Sequence, residues 1–227
     1  MQIIAHRGDS GIEPENTIRS LKRVKESGVN FVEFDIRRSK DGELVVFHDF
    51  TLKRLFGINK LISNLTLSEL REISVGREIP TLYEALSAID CNVNLDIKVY
   101  GSEKEILEKI KDFPFKVLIT SWNPWVLKKI RTLDRNISLG PIVGYKFRIF
   151  LPIVVALLKR QNVSSITIKK EFITEQMVTG FHNRGWKVLA FTVNGELEFQ
   201  RLKNLGIDGV FTDYPELIIK YDQDRSL

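Results

Sequence analysis

The chain has 227 residues, 43% apolar and 28% charged, which excludes a disordered or fibrous protein and leaves room for one sizeable core. A formal net charge of +5 suits an anionic ligand, but the basic residues are scattered rather than run together, so nucleic-acid binding is not expected. Cys91 is the single cysteine, which rules out an intramolecular disulfide and a cysteine metal cluster, and with an N-terminus lacking a secretory pattern it sets the expectation of a cytoplasmic protein.

Taken in chain order, short β-branched runs predict strands at 2–5, 31–36, 44–47, 93–97, 117–120, 137–143, 164–168, 187–193 and 209–212. Between most of them lie helical stretches at 16–27, 82–89, 103–111, 124–132, 149–160, 174–183 and 196–204. This alternation is the pattern of a parallel sheet built from βα units. No Ser/Gly/Pro-rich linker interrupts it, so residues 1–227 are expected to form a single domain of the α/β class, a (β/α)8 TIM barrel. The ninth strand is explained by Asp41-Gly42, a hairpin turn signal, which makes 44–47 the antiparallel return arm of an extension after the second strand. With residues 40 and 41 at the tip, Glu33 is expected opposite His48 and Asp35 opposite Val46. Residues 50–92 leave room for a short cap but not for an inserted domain. The stretch 149–158 has no charged side chain, unlike an ordinary outer helix. Burial by neighbours or a second subunit is the leading reading of 149–160, ahead of peripheral membrane contact, flanked as it is by Lys146, Arg148, Lys159 and Arg160, or a lid over the site.

Chemistry in such a barrel sits at the C-terminal ends of the strands. His6 and Arg7 end the first strand, Glu33 and Asp35 lie on the second, His48 and Asp49 end its return arm, and Asp96 and Lys98 lie on the next. Glu33, Asp35 and Asp96 are hard oxygen donors suited to one Mg²⁺ or Ca²⁺ with positions left open for water and a phosphate. Two histidines beside that metal can serve as general acid and base, and Arg7 and Lys98 can hold phosphate oxygens. The plainer alternatives are a core histidine at position 6 and salt bridges from Glu33 and Asp35 to Arg37, Arg38 or Lys98. These do not explain alternate carboxylates on a strand face that should be apolar. Asn16 or Thr17 is expected to cap the first helix, and Asp213 to act in a turn or in barrel closure rather than in the chemistry.

The succession HRGDSGIEPENT, VEFDIRRSKDGELVVFHD, IPTLYEAL, NLDIK and GIDGVFTDYP resembles the glycerophosphodiester phosphodiesterase family over nearly the whole chain. The resemblance implies a barrel of the phosphatidylinositol-phospholipase-C-like phosphodiesterase type. It implies metal-dependent hydrolysis of glycerophosphodiesters to sn-glycerol 3-phosphate and an alcohol, with Mg²⁺, Ca²⁺ or Mn²⁺ as cofactor. Carried onto this sequence, it makes His6 and His48 the acid–base pair, Glu33, Asp35 and Asp96 the metal ligands, and Arg7, Glu15, Lys98, Trp122 and Phe191 the substrate contacts. The family's usual glutamate before Ile-Lys is Asp96 here, and Phe191 stands where its Trp is usual. Competing expectations are hydrolysis of lipid diesters in the manner of a lysophospholipase D, for which the apolar stretch speaks, a phosphatidylinositol-specific phospholipase C, and a catalytically silent module binding phosphorylated ligands.

Overall fold

The computed structural model describes residues 1–144, 151–158 and 161–223. Eight parallel strands close into a barrel: β1 (Gln2–His6), β2 (Phe31–Arg38), β4 (Asn92–Ile97), β5 (Val117–Ser121), β6 (Ser138–Val143), β7 (Ser165–Lys169), β8 (Lys187–Phe191) and β9 (Gly209–Thr212). β1 pairs with β2 on one side and β9 on the other, with Ala5 opposite both Val32 and Thr212, and this closes the ring. β3 (Leu44–Val46) pairs antiparallel with β2 as the expected hairpin arm. The outer helices are α1 (Ile18–Arg23), α4 (Leu82–Ser87), α5 (Glu103–Ile110), α6 (Pro124–Leu133), α7 (Leu151–Leu158), α8 (Glu175–His182), α9 (Glu196–Asn204) and α10 (Pro215–Gln223).

The hairpin register differs by one residue from the sequence expectation. Ile36 faces Val46 and Arg37 faces Val45, because the tip is a three-residue loop rather than a two-residue one. Ser39 N–H donates to the Glu43 carbonyl at 2.9 Å, and Gly42 takes a φ of 94° inside that closure, the left-handed position such a loop reserves for glycine. Asp35 therefore lies opposite Phe47, whose N–H it accepts at 3.0 Å, and Glu33 has no partner on the return arm. His48 still reaches the barrel mouth because β3 ends at Val46. The chain leaves the ladder after Phe47, and the His48 carbonyl is taken by the Arg37 guanidinium, Nε at 2.8 Å and Nη2 at 2.6 Å.

The main core lies between strands and helices, with Phe34, Ile36, Leu95, Leu82 and Phe199 fully buried in it. Truncating Phe34 to Ala would cost roughly 3–5 kcal/mol. Inside the barrel a small plug of Ile4, Phe31, Leu118, Leu189 and Phe211 fills the floor, so the barrel is not a pore. Residues 50–81 form the expected short cap. They include α2 (Lys53–Phe56), a 3-10 turn at Ile62–Asn64 and α3 (Leu67–Ile73), gathered on a separate core of Val45, Phe47, Leu52, Ile62, Leu65, Leu70 and Ile79. Thr66 and Thr81 start α3 and α4 with capping boxes completed by Glu69 and Glu84. The sequence expectation did not include α2, α3 or α10; α2 has only four residues and stops at Gly57, φ 72°, too short for a periodic signal.

Of the apolar stretch, Ile153 on α7 is exposed, and Leu158 is buried in the main core. Residues 149–150 and 159–160, with Lys146 and Arg148, lie outside the described residues. Among the described residues no helix is long and apolar enough to cross a membrane.

Candidate active site

The turn after β1 explains why His6 and Arg7 follow an apolar run. Arg7 sits in the left-handed region at φ 58°, held by its own N–H to Glu33 Oε2 at 2.9 Å and by its carbonyl, which accepts from Asn16 N–H and Ser20 Oγ at 3.0 Å each. Gly8, φ 83°, presses against α1 so closely that a Cβ would meet the Ser20 backbone at 2.5 Å, so only glycine fits. The turn folds back on α1 and points both side chains into the mouth.

His6 Nδ1 lies 2.7 Å from Asp213 Oδ1. Asp213 follows β9 and also accepts from Ser10 Oγ at 3.0 Å and Asn194 Nδ2 at 2.7 Å. Donation from Nδ1 to this carboxylate leaves His6 Nε2 toward the cleft, 4.0 Å from Glu33 Oε2. Burial alone would raise the Asp213 pKa, but the hydrogen bond and charge of His6 outweigh it and hold the carboxyl at about 2. His48 Nδ1 lies 2.7 Å from Asp49 Oδ1. Burial lowers the His48 pKa more than the attraction of Asp35 raises it. The neutral imidazole is thereby favoured near neutrality.

Glu33, Asp35 and Asp96 are buried, and an oxygen of each lies within 4.8 Å of the others. The parallel register of β2 and β4 sets Asp35 directly opposite Asp96. Asn16 Nδ2 donates to Asp35 Oδ2 at 2.9 Å, while Lys98 Nζ pairs with Asp35 Oδ1 at 3.0 Å and with Asp96. Burial, then repulsion from Asp35 and Asp96, pushes the Glu33 pKa well above the carboxylate range. Burial raises Asp96 to about 6 against the pull of Lys98. Asp35 goes the other way, since Lys98 and Arg7 overcome its burial. Three carboxylates this close and this dry are only partly balanced by Lys98 and Arg7 and suit a further cation. Asp96 Oδ1 in particular is buried with no hydrogen-bond partner, so the hard-oxygen donor set fits a divalent ion. The shorter Asp96 side chain is thus within reach of the other two carboxylates.

Arg7 pairs with Glu15 at 2.9 Å and Asp35 at 3.3 Å. A cleft of about 330 Å³ is lined by His6, Arg7, Glu33, Asp35, His48, Asp96, Lys98, Trp122 and Phe191, so nine of the ten residues singled out from the sequence share one cavity. Trp122 and Phe191 meet edge to face at 5.8 Å and form an apolar wall. Glu15 is the exception: it stands behind Arg7 and accepts a bidentate pair from Arg54 at 2.6 and 2.8 Å. Arg54, on α2 of the cap, also donates Nε to Asp49 Oδ2 at 2.6 Å.

Sequence reasoning missed four supporting residues. Asp213 was expected in a turn or barrel closure, and it does sit where β9 meets β1, but it also holds His6. Its signal was its place just beyond the last strand. Asp49 was noted without a role, although adjacency to His48 was the clue. Asn16 was read as a candidate cap, whereas Thr17 caps α1 and Asn16, at φ 59°, reaches the acidic triad. Arg54 carried no signal, since nothing local distinguishes it from a solvated arginine.

A barrel whose buried charges gather at the C-terminal mouth of its strands is built as an enzyme. Residues 6–217 match the glycerophosphoryl diester phosphodiesterase family. The chain is 33% identical to a glycerophosphodiester phosphodiesterase of Caldanaerobacter subterraneus subsp. tengcongensis, covering 96% of each. Among solved structures it resembles an Oleispira antarctica phosphodiesterase in complex with the product sn-glycerol-3-phosphate, at 33% identity and TM-score 0.86, covering 98% of this chain and 96% of that one. It also resembles the Thermotoga maritima glycerophosphodiester phosphodiesterase, at 29% identity and TM-score 0.85, covering 96% of each chain. The chain belongs to the glycerophosphoryl diester phosphodiesterase family and is a phosphoric diester hydrolase.

Proposed function

We propose that the protein hydrolyses glycerophosphodiesters to sn-glycerol 3-phosphate and an alcohol, with His6 and His48 as the acid–base pair and a divalent cation held by Glu33, Asp35 and Asp96. The observation that carries this reading is the matched pair of dyads, His6–Asp213 and His48–Asp49, on a cleft that also holds the acidic triad. The product named in the Oleispira antarctica complex supports the choice of substrate.

Arg7 and Lys98 are the cations placed to receive the phosphate oxygens. Arg7 is fixed by Glu15 and by its own backbone bond to Glu33, so little ordering remains when substrate binds. A bound divalent ion would supply Lewis-acid polarisation of the phosphate and offset charge in the transition state. One histidine takes the proton from the attacking water as its oxygen bonds to phosphorus. The other gives a proton to the alcohol oxygen as that P–O bond breaks, and the two imidazoles end with their protonation exchanged. Asp213 and Asp49 keep each ring in the tautomer that presents Nε2 to this exchange. Trp122 and Phe191 wall one side of the cleft and limit water to the reacting one.

The test is release of glycerol 3-phosphate from glycerophosphodiesters after chelation and after restoring Mg²⁺, Ca²⁺ or Mn²⁺, with His6→Ala alongside. Metal-dependent release that falls roughly 10²- to 10⁴-fold in the variant is expected. Release that survives chelation, or that His6→Ala leaves intact, would remove the cation or the histidine from the chemistry. Products carrying an acyl chain instead of free glycerol 3-phosphate would redirect the substrate assignment to lysophospholipids.

A further inference from the structure

A second cavity, of about 550 Å³, opens beside the catalytic cleft. It shares Lys98 and Trp122 with that cleft and runs past Ile97 and Asn123 to Phe50 and Arg37. Phe50 is the first residue of the cap and is 70% exposed. Its ring lies over the Arg37 guanidinium, 4.0 Å from Cζ to centroid. Arg37 is buried, and Nε and Nη2 are used by the His48 carbonyl. Among the described residues no Asp or Glu lines the cavity. The groove therefore combines aromatic and apolar walls with the Arg37 cation and with Lys98, whose charge Asp35 and Asp96 already match.

We propose that this groove receives the leaving alcohol of the diester, and that it selects a neutral, hydroxyl-rich alcohol, a polyol, over an ammonium alcohol. The inference rests on the phosphate being seated between Arg7 and Lys98 as proposed above. From that seat the groove is continuous with the cleft through Lys98 and Trp122. A hydroxyl oxygen of a polyol can accept from Arg37 Nη1, while its C–H faces pack on Trp122 and the exposed side of Phe50. A choline or ethanolamine headgroup meets the opposite conditions. No carboxylate among the lining residues neutralises it, the like charge of Arg37 faces it, and one face of the Phe50 ring is already covered by that cation.

The experiment compares kcat/KM for glycerophosphoinositol and bis(glycerol) phosphate with that for glycerophosphocholine and glycerophosphoethanolamine, in the wild type, Phe50→Ala and Asn123→Asp. Asn123 caps α6 by accepting from Trp125 N–H at 3.0 Å, a role aspartate fills equally well, so this variant keeps the helix and adds one carboxylate to the groove. The wild type is expected to prefer the polyol esters by roughly 10-fold at low salt, from the one uncompensated like-charge contact with Arg37. Phe50→Ala should lower the polyol values and leave the choline value nearly unchanged, and Asn123→Asp should narrow the preference about 3- to 5-fold. Equal or better turnover of glycerophosphocholine by the wild type, or a ratio that neither variant moves, would overturn the subsite while leaving the hydrolysis standing. No turnover of any of the four esters would overturn the proposed chemistry and the subsite with it.

Discussion

The two histidines of the mouth are supported over very different distances in sequence. The partner of His6 is Asp213, 207 positions away, and that of His48 is its own neighbour, Asp49. The first dyad exists only because β9 closes on β1, and its carboxylate is tied to Ser10 and Asn194 as well. The second is carried by a cap with its own small core, touches little besides Arg54, and is the more exposed, 34% against 15% for the imidazole side chains. One chemical unit is thus built once by global closure and once by local sequence. Disturbing the first should act on both fold and turnover; disturbing the second should act on turnover alone.

The sharpest way to break that contrast is to exchange the carboxylates. Asp213→Asn and Asp49→Asn each replace the acceptor-only carboxylate with an amide whose NH2 can hold the opposite tautomer, and each should lower kcat on the order of 10²-fold, the smaller part of what general acid–base catalysis supplies. Their stabilities should part company. Asp213→Asn disturbs a part-buried network joining three segments and should lower Tm by several degrees, whereas Asp49→Asn should leave Tm within about a degree. Paired activity assays and thermal unfolding decide it, and equal Tm values in the two variants would show that the dyads are not built differently.

Arg54 offers a gentler test, because it joins Asp49 to Glu15 and so links the support of His48 to that of Arg7. Arg54→Ala should lower kcat by about 5- to 20-fold with KM for the diester raised less, and Arg54→Lys, which can make one of the two contacts but not the fork, should recover part of it. A purely structural role predicts lower Tm with kcat intact among folded molecules. Only the split between kcat, KM and Tm separates these two accounts.

The same contrast governs what could be read from the sequence. Alternating β-branched runs and amphipathic helices carry a period, so the barrel and the hairpin were legible. Glu33, Asp35 and Asp96 stood out as acids where a strand face should be apolar. The one-residue register error arose at the tip, where Asp41-Gly42 signals a turn but not its length. Ser39 closing on Glu43 is a backbone choice that composition does not encode. It did no harm to the site because His48 lies beyond the ladder, oriented by Arg37 rather than by alternation. Asp213 and Arg54 escaped notice for the complementary reason: their roles come from side chains meeting across the fold, and no local pattern announces such a meeting.

The smallest predicted effect concerns acid stability, and it distinguishes the dyads once more. Asp213 is held at about 2 against an ordinary 3.8, with burial opposing and His6 prevailing. A carboxyl whose folded-state pKa is depressed contributes stability that is fully present above its unfolded pKa and is lost as pH falls through its folded one. The contribution of Asp213 is therefore expected to fade between about pH 4 and pH 2. Asp49 is shifted the same way, with Arg54 and His48 outweighing its burial, but its partner Arg54 is exposed and that screens the effect. Urea midpoints measured from pH 5 to pH 2 should fall more steeply for the wild type than for Asp213→Asn, while Asp49→Asn should track the wild type closely. If Asp213→Asn also tracks it, the long-range dyad adds nothing to the closure of the barrel, and the division between a globally and a locally supported histidine would hold for chemistry only.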